Sequence, residues 1–136
     1  HGPGNAVLIK SAYPWQDALS GPDSLAQMQL NNPDASGNIR PQERLCAGQT
    51  LLCRALGLKV PHWDAQRFDA ERLYVEDCGN AVPRVIQAAR LGIPHGRDEH
   101  LPYRFVDAGY ARFCTRNPLR RGQVEGRDFF ILEQGS

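Results

Sequence analysis

The hydrophobic pattern of this chain is helical through the middle and strand-like near the ends. Residues 41–57 carry Leu45, Leu52 and Leu56 on one helical stripe, with a Pro in the first turn and Gly57 suited to the exit. Residues 128–133 instead read Asp-Phe-Phe-Ile-Leu-Glu, an apolar run typical of a strand. Because helical and strand patterns are segregated along the chain, we expect an α+β fold.

Weaker patterns complete the predicted architecture. Helices are predicted over residues 23–30, 69–76 and 80–91, and strands over residues 6–10, 103–107 and 110–114. Residues 31–37, Asn-Asn-Pro-Asp-Ala-Ser-Gly, are a predicted loop. We therefore expect a small single domain over residues 1–136, with central helices and a short antiparallel sheet formed by the terminal strands.

Length and charge limit the classes of function. A chain of 136 residues is about the size of one domain and can bury a core without disulfides. Its 16 basic and 15 acidic residues give a net charge of +1, which excludes a strongly basic nucleic-acid binder as a description of the whole chain. Any electrostatic function must therefore be local, and nearly all the basic residues are Arg, which favours bidentate contacts.

The cysteine pattern and the absence of targeting signals predict a cytoplasmic protein. The four cysteines form no CxxC pair, so we expect them to be reduced. No stretch approaches the roughly 20 apolar residues of a membrane span, and no secretion signal opens the chain. The start at His1, without a Met, leaves open a processed end, a tag remnant or a fragment of a longer chain. The glycine patterns assign no cofactor, and the oligomeric state is open.

A first candidate site is the thiol of Cys46, near the start of the predicted helix over residues 41–57. The small residues Ala47 and Gly48 follow it and leave room for a substrate, and a helix amino terminus lowers a thiol pKa. This segment resembles the nucleophile helix of papain-like peptidases and peptidoglycan amidases. The resemblance implies a cysteine nucleophile at Cys46, with His95 or His100 as its base.

A second candidate is a metal site built from two similar helix exits. Residues 54–62 and 89–95 both run through Leu-Gly to Pro-His, and each is followed by an Asp. His62, Asp64 and Asp98 are ligand types that hold iron or zinc, provided that the two exits are neighbours in the fold. The alternative is that each His only stabilises a helix carboxyl end.

A third candidate is the basic segment over residues 111–122, which contains four arginines and no acid. Arginine side chains bind phosphate groups, and an aromatic ring between them in the sequence can stack on a base. The predicted binding residues are Arg112, Phe113, Arg116, Arg120 and Arg121. The segment predicts nucleic acid or another phosphate-bearing ligand as the partner, and no membrane.

Three functional hypotheses follow, and the sequence leaves open whether the chain is an enzyme. The first is a small intracellular hydrolase or transferase, such as a bacterial effector toxin domain, with Cys46 as nucleophile. The second is a noncatalytic module that binds nucleic acid or another phosphate-bearing ligand through the basic segment, with salt-sensitive affinity. The third is a structural or assembly protein, which would reveal itself by oligomerisation.

Overall fold

The computed structural model describes residues 6–135. Contacts divide the chain into two compact units. The first unit runs to Arg67 and also includes Phe113–Thr115, and the second consists of Phe68–Arg112 and the residues from Arg116 onward. The single domain expected from the length of the chain stays a prediction.

The first unit is helical. Its helices are α1 (Ser24–Asn31), a 310-helix (Gln42–Arg44), α2 (Gln49–Ala55) and α3 (Val60–Trp63). Helix α2 ends as its sequence predicts, because Gly57 takes a left-handed φ of 66°. The N–H of Leu58 then donates to the carbonyl of Cys53 at 2.8 Å, which closes the helix end.

The core of the first unit is small and lies beside α1 and α2. Leu45, Cys46 and Ala55 are buried, and three partly buried side chains pack against them: Leu25, Met28 and Leu52. The helix predicted over residues 23–30 is confirmed as α1. The loop expected over residues 31–37 is confirmed from Asn32 onward, because α1 ends at Asn31.

The continuous helix predicted over residues 41–57 is wrong. It is interrupted between Arg44 and Gln49, and the segment containing Cys46 is not helical. The carbonyl of Leu45 accepts a hydrogen bond from the side chain of Asn32 (2.9 Å), and that of Cys46 accepts one from the N–H of Ala12 (3.1 Å). These carbonyls therefore bond to other parts of the unit instead of continuing a helix.

The second unit contains a three-stranded antiparallel sheet. Its strands are β1 (Arg84–Ala88), β2 (Arg104–Asp107) and β3 (Phe129–Glu133), in the order β2-β1-β3. A second 310-helix, Ala108–Phe113, follows β2, and its residues up to Arg112 belong to this unit. The α+β class and the short antiparallel sheet are confirmed, as are the strands predicted over residues 103–107 and 128–133.

Alternation along the strands gives the sheet one buried face. Ile86 pairs with Val106 on one side and with Ile131 on the other, and Ala88 pairs with Phe129. Ile86, Ala88, Ala111 and Phe129 form the buried cluster of this unit. The sheet therefore packs its core against the second 310-helix, which carries Ala111.

Four further predicted elements are wrong. Residues 80–91, predicted as a helix, contain the central strand β1, since the β-branched pair Val85 and Ile86 suits a sheet paired on both sides. Residues 69–73 form a turn closed by a bridge between Asp69 and Leu73, and residues 74–76 form no helix or strand. Residues 110–114 fall largely in the second 310-helix. Residues 6–10 form no strand, so the sheet pairs β3 with β1 and not with the start of the chain.

None of the helices within residues 6–135 has the length and apolar character needed to cross a bilayer.

Candidate nucleic-acid interface

The four arginines of the basic segment belong to the second unit and are exposed. Arg112 lies in the second 310-helix, and Arg116, Arg120 and Arg121 lie in the loop that leads to β3. A phosphate group in solution can therefore reach this part of the chain, as the sequence predicts.

A turn built on Asn117 fixes the backbone that presents Arg120 and Arg121. The Oδ1 atom of Asn117 accepts a hydrogen bond from the N–H of Leu119 (2.8 Å), and its carbonyl accepts one from the N–H of Arg120 (3.2 Å). The carbonyl of Arg120 then accepts a bond from the N–H of Gln123 (3.1 Å). An Asx turn of this kind orders the loop without using either guanidinium group.

Arg116 is held in an uncommon backbone conformation. Its φ of 50° lies in the left-handed region, which costs a residue with a Cβ about 1–2 kcal/mol. The guanidinium of Arg104 donates to the Arg116 carbonyl at 2.9 Å. This charge-assisted hydrogen bond ties the loop to β2 and stabilises the unusual conformation.

The Asp128 carboxylate, which interacts with the charge of Arg120, is already bound. Oδ2 of Asp128 accepts hydrogen bonds from the Arg127 guanidinium (2.8 and 3.1 Å) and from the N–H of Val124 (2.8 Å). The hydrogen bond from Arg127 lowers the pKa of Asp128, with smaller contributions from Val124 and from the charge of Arg120. The carboxylate stays ionised and bonded to Arg127.

Three of the arginines keep free guanidinium groups. Within residues 6–135, no ion pair or side-chain hydrogen bond holds the guanidinium of Arg116, Arg120 or Arg121. We call these three residues the arginine loop. Their charges face solvent from an ordered backbone, which is the arrangement that binds phosphate.

Phe113, the aromatic residue predicted to stack on a base, belongs to the first unit. Its half-buried ring packs on Tyr13, with the centroids 5.1 Å apart and the planes tilted by 43°. This contact favours a structural role for the ring.

Cys46 lacks the surroundings that activate a thiol. Only 2% of the residue is exposed, it lies outside any helix, and burial raises the pKa of its thiol to about 11. A nucleophilic cysteine needs an accessible thiolate with a lowered pKa. The physical basis of the cysteine-nucleophile hypothesis is therefore missing at this residue.

The two histidines proposed as bases belong to the second unit, whereas Cys46 belongs to the first. His95 and His100 are both exposed, and Nδ1 of His95 lies 2.8 Å from the Glu99 carboxylate. Glu99 also accepts hydrogen bonds from the N–H groups of Gly96 and Arg97 (both 2.9 Å), and the Gly96 bond is the main cause of its lowered pKa. Glu99 therefore organises this turn, and His95 is an exposed member of it.

The residues proposed as metal ligands are also distributed over both units. His62 lies in α3, Asp64 follows it, and both are exposed, whereas Asp98 belongs to the second unit. Among residues 6–135, no three His, Cys, Asp or Glu side chains converge as a metal site. The structure thus adds no support to the metal hypothesis.

Sequence patterns missed the polar residues that shape the first unit. Asn32 is fully buried, and its side chain donates to the carbonyls of Leu45 (2.9 Å) and Leu51 (3.2 Å). From the sequence alone, an Asn before a Pro predicts only a loop. Another missed contact joins the Thr115 hydroxyl to the carbonyl of Ala47. These contacts link residues far apart in the chain, and no local pattern reports them.

A shallow basic pocket of about 310 Å³ in the first unit was also missed. It is lined by Asn31, Arg54, Gly57, Leu58 and Lys59. The side chain of Asn31 bridges α1 and α2 by donating to the carbonyl of Ala55 (3.1 Å). Arg54 and Lys59 make the pocket cationic.

The sequence pattern of methylpurine-DNA glycosylase (MPG) matches residues 1–111. The chain belongs to this family. Its match ends at Ala111, so the arginine loop lies beyond the matched residues. No solved structure matches the chain.

Relatives from several Pseudomonas species agree with this family over nearly the whole chain. Proteins assigned as 3-methyladenine DNA glycosylases are 78% identical over 135 residues in Pseudomonas savastanoi pv. phaseolicola and 77% identical over 135 residues in Pseudomonas syringae pv. tomato. Each match covers 99% of this chain and 60% of the relative. A relative in Pseudomonas aeruginosa PAO1 is 69% identical over 131 residues, covering 96% of this chain and 55% of its own length. The chain therefore spans about three fifths of these relatives, and the comparisons give no support to a toxin domain.

Proposed function

We propose that this chain forms part of a DNA glycosylase that removes methylated purines such as 3-methyladenine. The observation that carries the proposal is the family match over residues 1–111, supported by relatives with this assigned activity. The reaction is a hydrolysis. The bond between the purine and C1′ of deoxyribose breaks, the base leaves with the bonding electrons, and water supplies a hydroxyl to C1′ and releases a proton.

Such an enzyme has to bind DNA and turn the damaged nucleotide out of the base stack. Half or more of the hydrogen bonds in protein–DNA interfaces go to phosphate and sugar, and they set the register of the protein on the duplex. We assign this positioning role to the arginine loop. The exposed guanidinium groups of Arg116, Arg120 and Arg121 support it, as does the ordered Asn117 turn.

The same assignment fits the nearly neutral chain. With a net charge of +1, the chain as a whole attracts DNA weakly, so binding depends on local groups of cations. Asp128 would weaken the attraction of the arginine loop for phosphate, but its charge is compensated by Arg127. The proposal thus combines the hydrolase class of the first hypothesis with the nucleic-acid partner of the second, and it drops the noncatalytic role.

Cys46 has no part in the proposed chemistry. Water is the nucleophile of the proposed hydrolysis, and a thiol whose pKa is about 11 stays protonated at neutral pH. Replacing Cys46 should therefore affect the packing of the first unit and not the reaction.

The test is the salt dependence of duplex binding by the full 136-residue chain, measured by fluorescence anisotropy. Three phosphate contacts predict a loss of affinity of roughly 40-fold between 50 and 200 mM salt. In the variant Arg120→Ala/Arg121→Ala, the slope of log affinity against log salt should become shallower by about 2.

The matched control is Arg90→Ala, because Arg90 is an exposed arginine of the same unit outside the basic segment. A salt slope that is unchanged in the double variant would remove the arginine loop from the DNA contacts. Base release is tested separately, by mass spectrometry on methylated DNA, in a chimaera where this chain replaces the matched residues of the Pseudomonas savastanoi relative. A folded chimaera that releases no 3-methyladenine would refute the glycosylase proposal.

A further inference from the structure

The sheet of the second unit has a second face, opposite the buried one. In the row across the three strands, Gln87 of β1 lies between Phe105 of β2 and Phe130 of β3. In the neighbouring row, Val85 lies between Asp107 and Leu132. Side chains in such rows are direct neighbours on one side of a sheet. We call this set the open face: Val85, Gln87, Phe105, Asp107, Phe130 and Leu132.

Apolar side chains on the open face are unusually exposed. Phe105 is 59% exposed, Phe130 46% and Leu132 40%, whereas Ile86 on the buried face is fully buried. An antiparallel sheet with one solvated face normally carries polar residues on that face. Two aromatic rings and a leucine on neighbouring positions instead form an apolar patch of the kind that marks an interface.

The length of the family's proteins indicates what covers this patch. The chain matches 60% of the Pseudomonas savastanoi relative, so two fifths of that protein's length has no counterpart here. We propose that the open face is the surface on which this remaining part of the family's chain packs. The proposal rests on family membership and does not depend on the arginine loop or on base removal.

The composition of the open face favours a polypeptide over nucleic acid. Sheets that stack bases on aromatic rings combine them with cations that hold the backbone. None of the six positions is Arg or Lys, and Asp107 would repel phosphate. The amide of Gln87 already donates to the carbonyl of Pro102 at 3.0 Å, which leaves the centre of the face suited to apolar packing.

The experiment compares one substitution in two proteins: the 136-residue chain and the chimaera with the Pseudomonas savastanoi relative. The variant Phe105→Thr/Phe130→Thr keeps residues with high β-propensity but removes both rings. In the chain alone, where the rings are exposed, the melting temperature should change by no more than about 2 °C. In the chimaera, where the rings would be buried, it should fall by about 5 to 15 °C.

The matched control is Phe68→Thr, since Phe68 is 65% exposed and lies in the same unit but outside the sheet. Equal effects of Phe105→Thr/Phe130→Thr in the two proteins would overturn the proposal. The proposal would also be overturned if the double variant abolished single-stranded DNA binding, or dimerisation of the chain, without changing the stability of the chimaera.

Co-purification of the chain with the separately expressed remainder of the relative gives a second readout. The double variant should abolish co-purification. The proposal is also overturned if the wild-type chain does not co-purify with the remainder and the double variant leaves the melting temperature of the chimaera unchanged.

Discussion

The two units of this protein hold their small cores by different means. The second unit uses regular hydrogen bonds between strands, with Ile86 at the centre of a sheet that pairs on both sides. The first unit uses side chains that bond to backbone carbonyls of distant segments, and Asn32 is the most deeply buried of them. The difference separates a core defined by apolar packing from one that also depends on a buried amide.

The buried amide gives the first unit a specific local structure at a cost. Both hydrogens of the Asn32 amide are used, but its Oδ1 atom is buried with no hydrogen-bond partner. A buried polar atom without a partner is destabilising. The interruption between the first 310-helix and α2 is therefore maintained by a residue that is not itself fully satisfied.

The largest effect is expected in the sheet. Ile86→Ala removes the side chain at the centre of the second core and should lower the free energy of unfolding by about 2–5 kcal/mol. Urea unfolding would measure the loss in free energy. Hydrogen exchange would locate it, with the loss of protection concentrated in the three strands. In the control Leu132→Ala, the residue is 40% exposed and the loss should stay below about 1 kcal/mol. Similar losses for both variants would mean that the sheet lacks a one-sided core.

A smaller loss is expected from Asn32→Ala, which tests the amide-dependent core. The carbonyls of Leu45 and Leu51 each lose a donor, and we expect the free energy of unfolding to fall by about 1–3 kcal/mol. Hydrogen exchange should show faster exchange in the first unit and little change in the sheet. Asn80→Ala, at an exposed asparagine of the second unit, is the matched control and should be neutral. A neutral Asn32→Ala would contradict the contrast between the two cores.

The same contrast explains which elements the sequence could predict. Helix α1 and strands β2 and β3 follow from periodicity within a few residues, and the structure confirms them. The helix over residues 41–57 was mispredicted because its interruption depends on Asn32, a residue well before it in the chain. Strand β1 was mispredicted because a short apolar run fits either a helix or a strand, and only pairing on both sides decides.

The candidate interface shows the same limit. The exposure of the arginines was predictable from a polar, acid-free segment, but the Asn117 turn and the pairing of Asp128 with Arg127 depend on how the loop closes. Cys46 is predicted to be reactive because it lies near the amino terminus of the helix predicted over residues 41–57. Its burial instead follows from its place in the core beside Leu45 and Ala55.

The buried thiol of Cys46 offers a test of the first core by pH. Burial raises its pKa from 9.0 to about 11 in the folded protein, so the unfolded chain loses this proton at lower pH than the folded protein does. The thiol's contribution to stability is therefore complete below pH 9 and is lost as the pH rises toward 11. We expect the melting temperature of the wild type to fall more steeply over this range than that of Cys46→Ala.

Subtracting the two pH profiles isolates the contribution of this thiol from the pH dependence of the rest of the protein. Cys53→Ala is the matched control, because Cys53 lies in the same unit but is exposed. Alkylation of single cysteines should follow the same order, with Cys53 reacting readily in the folded protein and Cys46 reacting only near pH 11 or after denaturation. Fast alkylation of Cys46 at pH 7 would show that the first core opens readily.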